Sequence, residues 1–423
     1  MLGGGSFVSM TKKLPGTYIN YVSASRNNVA LGERGIVAMP ISLPFGADGI
    51  TVVDADNYES RTKELFGLSV GAEELKDVRE VLKKGIKLYL YRLNGGGEKA
   101  SNDIGTAKFA GTLGNKISTV VAVSVDDENK KTVTTFVDGN KEDSQIVSTS
   151  ADLVDNNFVV FKKTATLTVG TTTMTGGTDG TVTGESYSSA FAEFEKLAFN
   201  TLAVKTTDEA IKNLAVSFTV RMRERVGAKF QTVLFNKAAD HEGVINVDDV
   251  NAVPWVAGAS AGCAINRSLV NAKYDGEYEL KHDYTQTELE AAIDAGKFVF
   301  HTVDDEIHVL RDINSLVTFT LEKSVDFSYN QVIRVLDEDA VQTATIFNKT
   351  FLGKCQNNKD GRIALKSMLV TLAGEMQNVG ALQNFDGDDI TVIEGNLKTD
   401  VIVTKKLQPV VAMEKLYCTV YVN

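Results

Sequence analysis

The run of one asparagine and three glycines from Asn94 to Gly97 separates two stretches whose residue patterns differ in kind. Upstream, an apolar run from Gly35 to Met39, acidic amphipathic stretches at Asn57 to Phe66 and Glu73 to Lys84, and a strand-forming run at Lys87 to Leu93 read as strand, helix, helix, strand. Downstream, to about Gly184, Thr, Val, Gly and Asp dominate. Short alternating runs at Thr132 to Val137, Phe158 to Phe161 and Thr166 to Val169 are punctuated there by turn residues. The α/β pattern then resumes with a helix at Ser189 to Phe199, a strand at Thr201 to Val204 and a helix at Thr207 to Val226. Phe230 to Phe235 is apolar with little alternation, as a parallel strand covered on both faces requires. One α/β domain, residues 26–97 and 185–312, is therefore split by an inserted all-β module, residues 98–184. Within the insertion, the low-complexity stretch from Thr171 to Gly180 reads as a mobile hairpin tip or loop.

Residues 313–423 form an α+β region. A β-ribbon is expected at Ile313 to Lys323, helices at Ser328 to Phe347 and Gly361 to Val379, and strands at Asp400 to Lys405 and Ala412 to Val422. Two segments have strand propensity without a local partner. Gly16 to Ser23, within an amino-terminal arm of residues 1–25, runs into the polar stretch Ser25 to Asn28 with no hairpin turn. Met413 to Val422 alternates aromatic and β-branched residues almost to the last residue. Unpaired strands invite pairing with another chain, so strand exchange between subunits competes on even terms with pairing inside the chain.

The composition bears on function mainly by exclusion. A chain of 423 residues that is 43 % hydrophobic and 23 % charged has the material for several domains with real cores. A formal net charge of -11 argues against a nucleic-acid binder, which needs a clustered Lys/Arg face. Cys263, Cys355 and Cys418 are too widely spaced for a zinc site or a disulfide framework, and they fit a reducing cytoplasm. Met1 to Met10 lacks the charged start and apolar core of a signal peptide, and no apolar run approaches the roughly 18 residues of a membrane span, so no membrane insertion is expected.

Little in the sequence suggests chemistry. Gly258, Ala259, Ser260, Ala261 and Gly262 spell the GxSxG nucleophile elbow, which needs a strand before it and a helix after it. Pro254 interrupts any such strand, so the string reads as small residues packing a helix against a sheet. His301 and His308, either side of Asp304, Asp305 and Glu306, have the spacing of a facing pair in a hairpin, from which a metal site can be drawn. Asp386 to Asp389 lacks the ligand spacing of a calcium loop and reads as a solvated turn. No catalytic residue, metal or cofactor is assigned. Lys359, Arg362 and Lys366 recur at three and four residues and so share one helical face, with Ile363, Leu365, Leu369 and Leu372 on others. A basic stripe on an acidic chain is a candidate docking surface, although a solvated helix face explains it as well.

Ordered short strings across the chain carry a family likeness. They are Pro15 to Tyr18, Arg34 to Ala38, Pro44 to Gly46, Leu65 to Gly67, Tyr91 to Leu93, Gly111 to Asn115, Ala257 to Gly262, Ile333 to Asp337, Phe351 to Lys354, Asn357 and Arg362. In these the chain resembles the tail sheath proteins of contractile phages, particularly those of phage-like elements and R-type bacteriocins of Gram-positive bacteria. The resemblance implies a split, subtilisin-like but non-catalytic α/β domain, an inserted β-sandwich-like module, an α+β carboxy-terminal assembly domain and extended terminal strand arms. It implies a subunit that polymerises helically around a tail tube and contracts. Its partners would be further copies of itself, the tube protein, and baseplate and tail terminator proteins, first in the host cytoplasm and then in a virion or bacteriocin particle. It casts Thr17, Tyr18, Ile19, Tyr21 and Val22, with Leu416, Tyr417, Thr419, Val420, Tyr421 and Val422, as strands donated to neighbouring subunits. It casts Lys359, Arg362 and Lys366 as tube-facing. An α/β hydrolase using Ser260, and a shell or surface-layer protein, are the readings it competes with.

Overall fold

The computed structural model describes residues 31–422. In the first half, β1 (Ile36–Ile41) and β2 (Gly49–Asp54) precede α1 (Tyr58–Phe66), α2 (Lys76–Leu82) and β3 (Lys87–Arg92). The β-rich stretch carries β4 (Gly105–Ala107), β5 (Ile117–Val123), β6 (Lys131–Val137), β7 (Asn140–Val147), β8 (Val159–Phe161) and β9 (Gly170–Thr173). Next come α3 (Gly184–Phe194), β10 (Thr201–Val204), α4 (Glu209–Val220), β11 (Gln231–Phe235), β12 (Val244–Val247) and α5 (Ala252–Gly262). The chain continues through α6 (Gln286–Asp294), β13 (Lys297–Phe298), β14 (Phe300–Val303) and β15 (Glu306–Val309). It closes with α7 (Asn330–Ile346), α8 (Lys359–Asn378), β16 (Ile390–Glu394) and β17 (Val401–Lys405).

One seven-stranded sheet, ordered β13-β12-β11-β10-β1-β3-β2, draws strands from both sides of the β-rich stretch. All its neighbours pair in parallel except β2, which returns antiparallel on β3. Alternate residues serve its two faces. Val37, Met39, Leu88, Leu90, Val233 and Ile245 pack with α2 and α5, while Ala38, Leu202, Val204 and Leu234 pack with α3 and α4. Double coverage accounts for the unbroken apolar runs, because neither face of such a strand meets water.

The glycines at 95–97 are explained where the chain leaves the sheet and comes back to it. The Gly180 N–H donates to the Asn94 carbonyl at 3.0 Å and the Thr178 N–H to the Glu98 carbonyl at 3.1 Å. A Cβ on Gly97 would lie 1.9 Å from the Thr178 oxygen, so only glycine lets the two passes of backbone approach this closely. The stretch expected to be a mobile tip is instead fixed. Gly170–Thr173 pairs antiparallel with β5, completing the four-stranded sheet β7-β6-β5-β9, and Thr175 bridges Ser101. The strand expected at Thr166 to Val169 forms a few residues later, in that pairing.

Two further expectations change. The helix expected from Ser189 begins at Gly184, where Thr183 and Ser186 form a capping box, and ends at Phe194. Ile313 to Lys323 is not a ribbon. Apart from an isolated bridge between Ile313 and Tyr329 it has no ladder among the described residues, and Asp240 takes the N–H groups of Val317 and Thr318 that a partner strand would have used. Helix α7 docks on the central sheet through polar groups. Arg334 and Asp312, 2.6 Å apart, are almost fully buried. Arg223 reaches Asp337 with both terminal nitrogens, at 2.7 and 2.8 Å. Burial works to raise the Asp312 carboxyl, but the Arg334 guanidinium overcomes it and holds Asp312 below the usual carboxylate range.

Candidate assembly surfaces

Helices α7 and α8 share a core with Ile390, in which Val335, Leu365, Leu369, Leu372 and Met376 are buried. On it lies a two-stranded ribbon, β16 against β17, registered from Ile390 opposite Lys405 to Glu394 opposite Val401. Neither strand has a second neighbour among the described residues, so both outer edges present free backbone groups. Beside β17, against α7 and α8, runs a cavity of about 560 Å³ lined by Ala340, Thr343, Phe347, Leu369, Val401 and Val403. The Lys405 ammonium, 2.7 and 2.9 Å from the Asp339 carboxylate oxygens, closes one end. The sequence signal for this ribbon is the run of β-branched residues in Ile390–Glu394.

The carboxy-terminal segment is not a strand in the single chain. Among the described residues Ala412 to Val422 has no ladder partner, and Met413, Leu416, Tyr417 and Tyr421 are 100, 91, 88 and 88 % exposed. Leu416, Tyr417, Thr419, Val420, Tyr421 and Val422 are thus brought to the surface together. Thr17, Tyr18, Ile19, Tyr21 and Val22, the amino-terminal arm, lie outside the described residues.

Helix α8 places Lys359, Arg362 and Lys366 on one flank, as their spacing requires. Two of them are engaged within the chain. Arg362 bonds the Asn357 side chain at 2.9 Å and stands 3.5 Å from Glu394 of the ribbon, while Lys366 lies 3.4 Å from Asp388. Lys359 is exposed and makes no ion pair among the described residues. Ile363, expected to add an apolar contact, is exposed because it sits on the side of α8 away from the buried row of Leu365, Leu369 and Leu372.

The GxSxG string lies inside α5, with Pro254 in the first turn, where its missing N–H costs nothing. Gly258 and Gly262 meet α2 and the residues after it. Cβ atoms there would fall 2.2 Å from the Val81 oxygen and 2.1 Å from the Lys84 oxygen. Ser260 is buried, and its hydroxyl has no hydrogen-bond partner among the described residues, the opposite of a serine raised on an exposed elbow. His301 and His308 do face each other across the β14–β15 hairpin. Burial and the neighbouring His308 depress His301, and His308 donates from Nδ1 to the Asn271 carbonyl, 2.8 Å away. Among the described residues no three His, Cys, Asp or Glu side chains converge on a metal position, and Asp386 to Asp389 is a capped turn. No helix among the described residues is long and apolar enough to cross a membrane.

Comparison with known proteins fits this layout of sheet, β-rich stretch and ribbon. The phage tail sheath β-sandwich domain matches residues 95–179, the central domain 180–315 and the C-terminal domain 322–423. The chain belongs to the phage tail sheath family. It is 32 % identical over 469 aligned positions to the phage-like element PBSX protein XkdK of Bacillus subtilis, covering 100 % of each. The crystal structure of the sheath tail protein from Desulfitobacterium hafniense superposes with a TM-score of 0.84 at 37 % identity, over 95 % of this chain and 99 % of that one. The helical sheath of the anti-feeding prophage in its contracted state shares the fold, with a TM-score of 0.56 at 12 % identity over 97 and 99 % of the two chains.

Proposed function

We propose that this chain is the repeating subunit of a contractile tail. It polymerises helically around a tail tube, docks on baseplate and tail terminator proteins at the ends, and contracts to drive the tube through a target envelope. Assembly takes place in the host cytoplasm, and the product is the tail of a virion or bacteriocin particle. The observation that carries this reading is one chain holding both an exposed strand-forming segment, Leu416 to Val422, and a ribbon with open edges beside an apolar cavity. The arm of one copy supplies what the ribbon of another lacks.

The energetics favour a lattice over a dimer. Ordering about eight residues costs roughly 8 to 16 kcal/mol. About five hydrogen bonds return about 5 kcal/mol. Burying Leu416, Val420 and Val422, one face of the strand, adds roughly 5 to 9 kcal/mol. A single exchange is therefore close to neutral, and a stable polymer needs every subunit to give and receive. Contraction then keeps the arms in place while larger contacts form between subunit bodies.

On this reading the central sheet is a subtilisin-like scaffold without a nucleophile, residues 26–97 and 185–312. Residues 98–184 decorate it, and 313–423 assemble it. Lys359 is the foremost tube contact, with Arg362 and Lys366 beside it. Electron microscopy of the purified full-length chain is expected to show hollow cylinders. Chains lacking residues 415–422 should remain folded and monomeric. Flat lattices, or cylinders from the truncated chain, would overturn the proposal.

A further inference from the structure

Among the described residues, the exposed tail is anchored through one side chain. Past β17 the backbone is tied to the body by the Val410 N–H on the Ala381 carbonyl at 3.0 Å and the Ala412 N–H on the Gln331 side-chain oxygen at 3.0 Å. Between the fully exposed Met413 and the nearly fully exposed Leu416, Glu414 turns inward, its side chain only 17 % accessible. Two nitrogens of Arg311 hold its carboxylate, at 2.9 and 2.7 Å. Arg311 is itself held, with its guanidinium 5.3 Å from the centre of the Tyr329 ring and donating to the Tyr329 hydroxyl at 3.1 Å. Two planar contacts on a guanidinium fix its direction as well as its position. From Lys415 to Val422 no hydrogen bond or ion pair ties the chain to the described body.

We propose that Arg311 is a positioning residue for strand exchange: by clamping Glu414 it sets where the carboxy-terminal arm leaves the subunit and how far it reaches. The inference rests on reading that segment as a donated strand. The eight residues from Lys415 to Val422 span at most about 29 Å when extended. The receiving ribbon of the neighbour therefore lies within that distance of Glu414. Opening the clamp moves the free point back to Ala412 and lengthens the reach to about 36 Å. The longer tether lets the arm search a wider volume, so its effective concentration at the correct ribbon falls.

The clamp and the exchange are tested separately. In a chain with Cys263→Ala, Cys355→Ser and Cys418→Ser, a nitroxide is placed at Met413→Cys. Its spectrum is expected to be motionally restricted with Arg311 and Glu414 present, mobile in Glu414→Arg, and restricted again in the swap Arg311→Glu with Glu414→Arg. Because Glu414 is on the tail, its replacement leaves the folded body intact. Cylinder formation followed by light scattering should need about twofold more protein for Glu414→Arg and recover in the swap. An unchanged spectrum in Glu414→Arg overturns the clamp, as does assembly at the parent concentration. Assembly by a chain lacking residues 415–422 overturns the exchange reading itself, whatever the spectra show.

Discussion

Replacing Gly258 by alanine adds one methyl at the point where α5 meets α2. The new Cβ would stand 2.2 Å from the Val81 carbonyl oxygen and 3.0 Å from its carbon, where ordinary contact begins at 3.4 Å. Both partners are backbone, so no rotamer change relieves the clash and the helices must separate by about 1 Å. Overpacking of this kind costs about 3 kcal/mol, and the better helix propensity of alanine returns about 1, leaving a loss of about 2 kcal/mol. Trp255, the only tryptophan, is in the same helix and packs edge-on against Tyr274 and Phe300, at 5.3 and 5.8 Å, so its fluorescence reports this region. In urea, with a slope of about 2 to 3 kcal/mol per molar, the Trp255 midpoint should fall by about 0.7 to 1 M. Ser260→Ala, two residues on, removes a buried hydroxyl with no partner and should leave the midpoint unchanged or raise it. A Gly258→Ala midpoint within about 0.2 M of the parent would refute the close-packing account of the small-residue string. A large loss in Ser260→Ala would show the hydroxyl to be engaged.

Glu80, fully buried beneath the 274–278 loop, is raised above its usual carboxyl range by burial, against the pull of the Glu277 N–H and the Tyr274 hydroxyl. A carboxyl whose folded pKa exceeds its unfolded value favours folding as pH falls through the folded pKa, and that contribution is lost as pH rises through it. The Trp255 urea midpoint of the parent, minus that of Glu80→Gln, should therefore grow as pH drops from 7 toward 5, and a constant difference would contradict the burial argument. Reversing Lys359, Arg362 and Lys366 to glutamate removes two exposed or half-exposed ion pairs, each worth about 0 to 1 kcal/mol, so folding should survive while sheath loading onto tubes fails. Normal loading would remove this helix from the tube interface.

How much was legible followed from how local the cause was. Residues that report their own environment spoke clearly. The unbroken apolar run of β11 announced a strand covered on both faces, Pro254 spoke against an elbow, and the spacing of His301 and His308 foretold a hairpin pair. Composition also exposed the break at Gly95 to Gly97, because backbone that must touch backbone leaves room only for glycine. Alternation without a partner was ambiguous, and it resolved differently each time. Thr171 to Gly180, whose composition suggests a tip or loop, begins with residues that join the edge of β5. Ile313 to Lys323 gives the Val317 and Thr318 N–H groups to Asp240 and not to a partner strand, and Ala412 to Val422 has no partner among the described residues. The basic stripe was equally blind to context, since helical spacing put Arg362 and Lys366 on one flank but not beside Glu394 and Asp388.

Periodicity and small-residue content thus determined the sheet-and-helix core and the place where the β-rich stretch enters it, while the ordered short strings carried the likeness to sheath proteins. Only the tertiary structure decided which edges stay open, which charges are already paired, and that Arg311 meets Glu414 across 103 residues. Strand pairing and ion pairing are contests among distant groups, and their outcome depends on which partner the fold brings within hydrogen-bond reach.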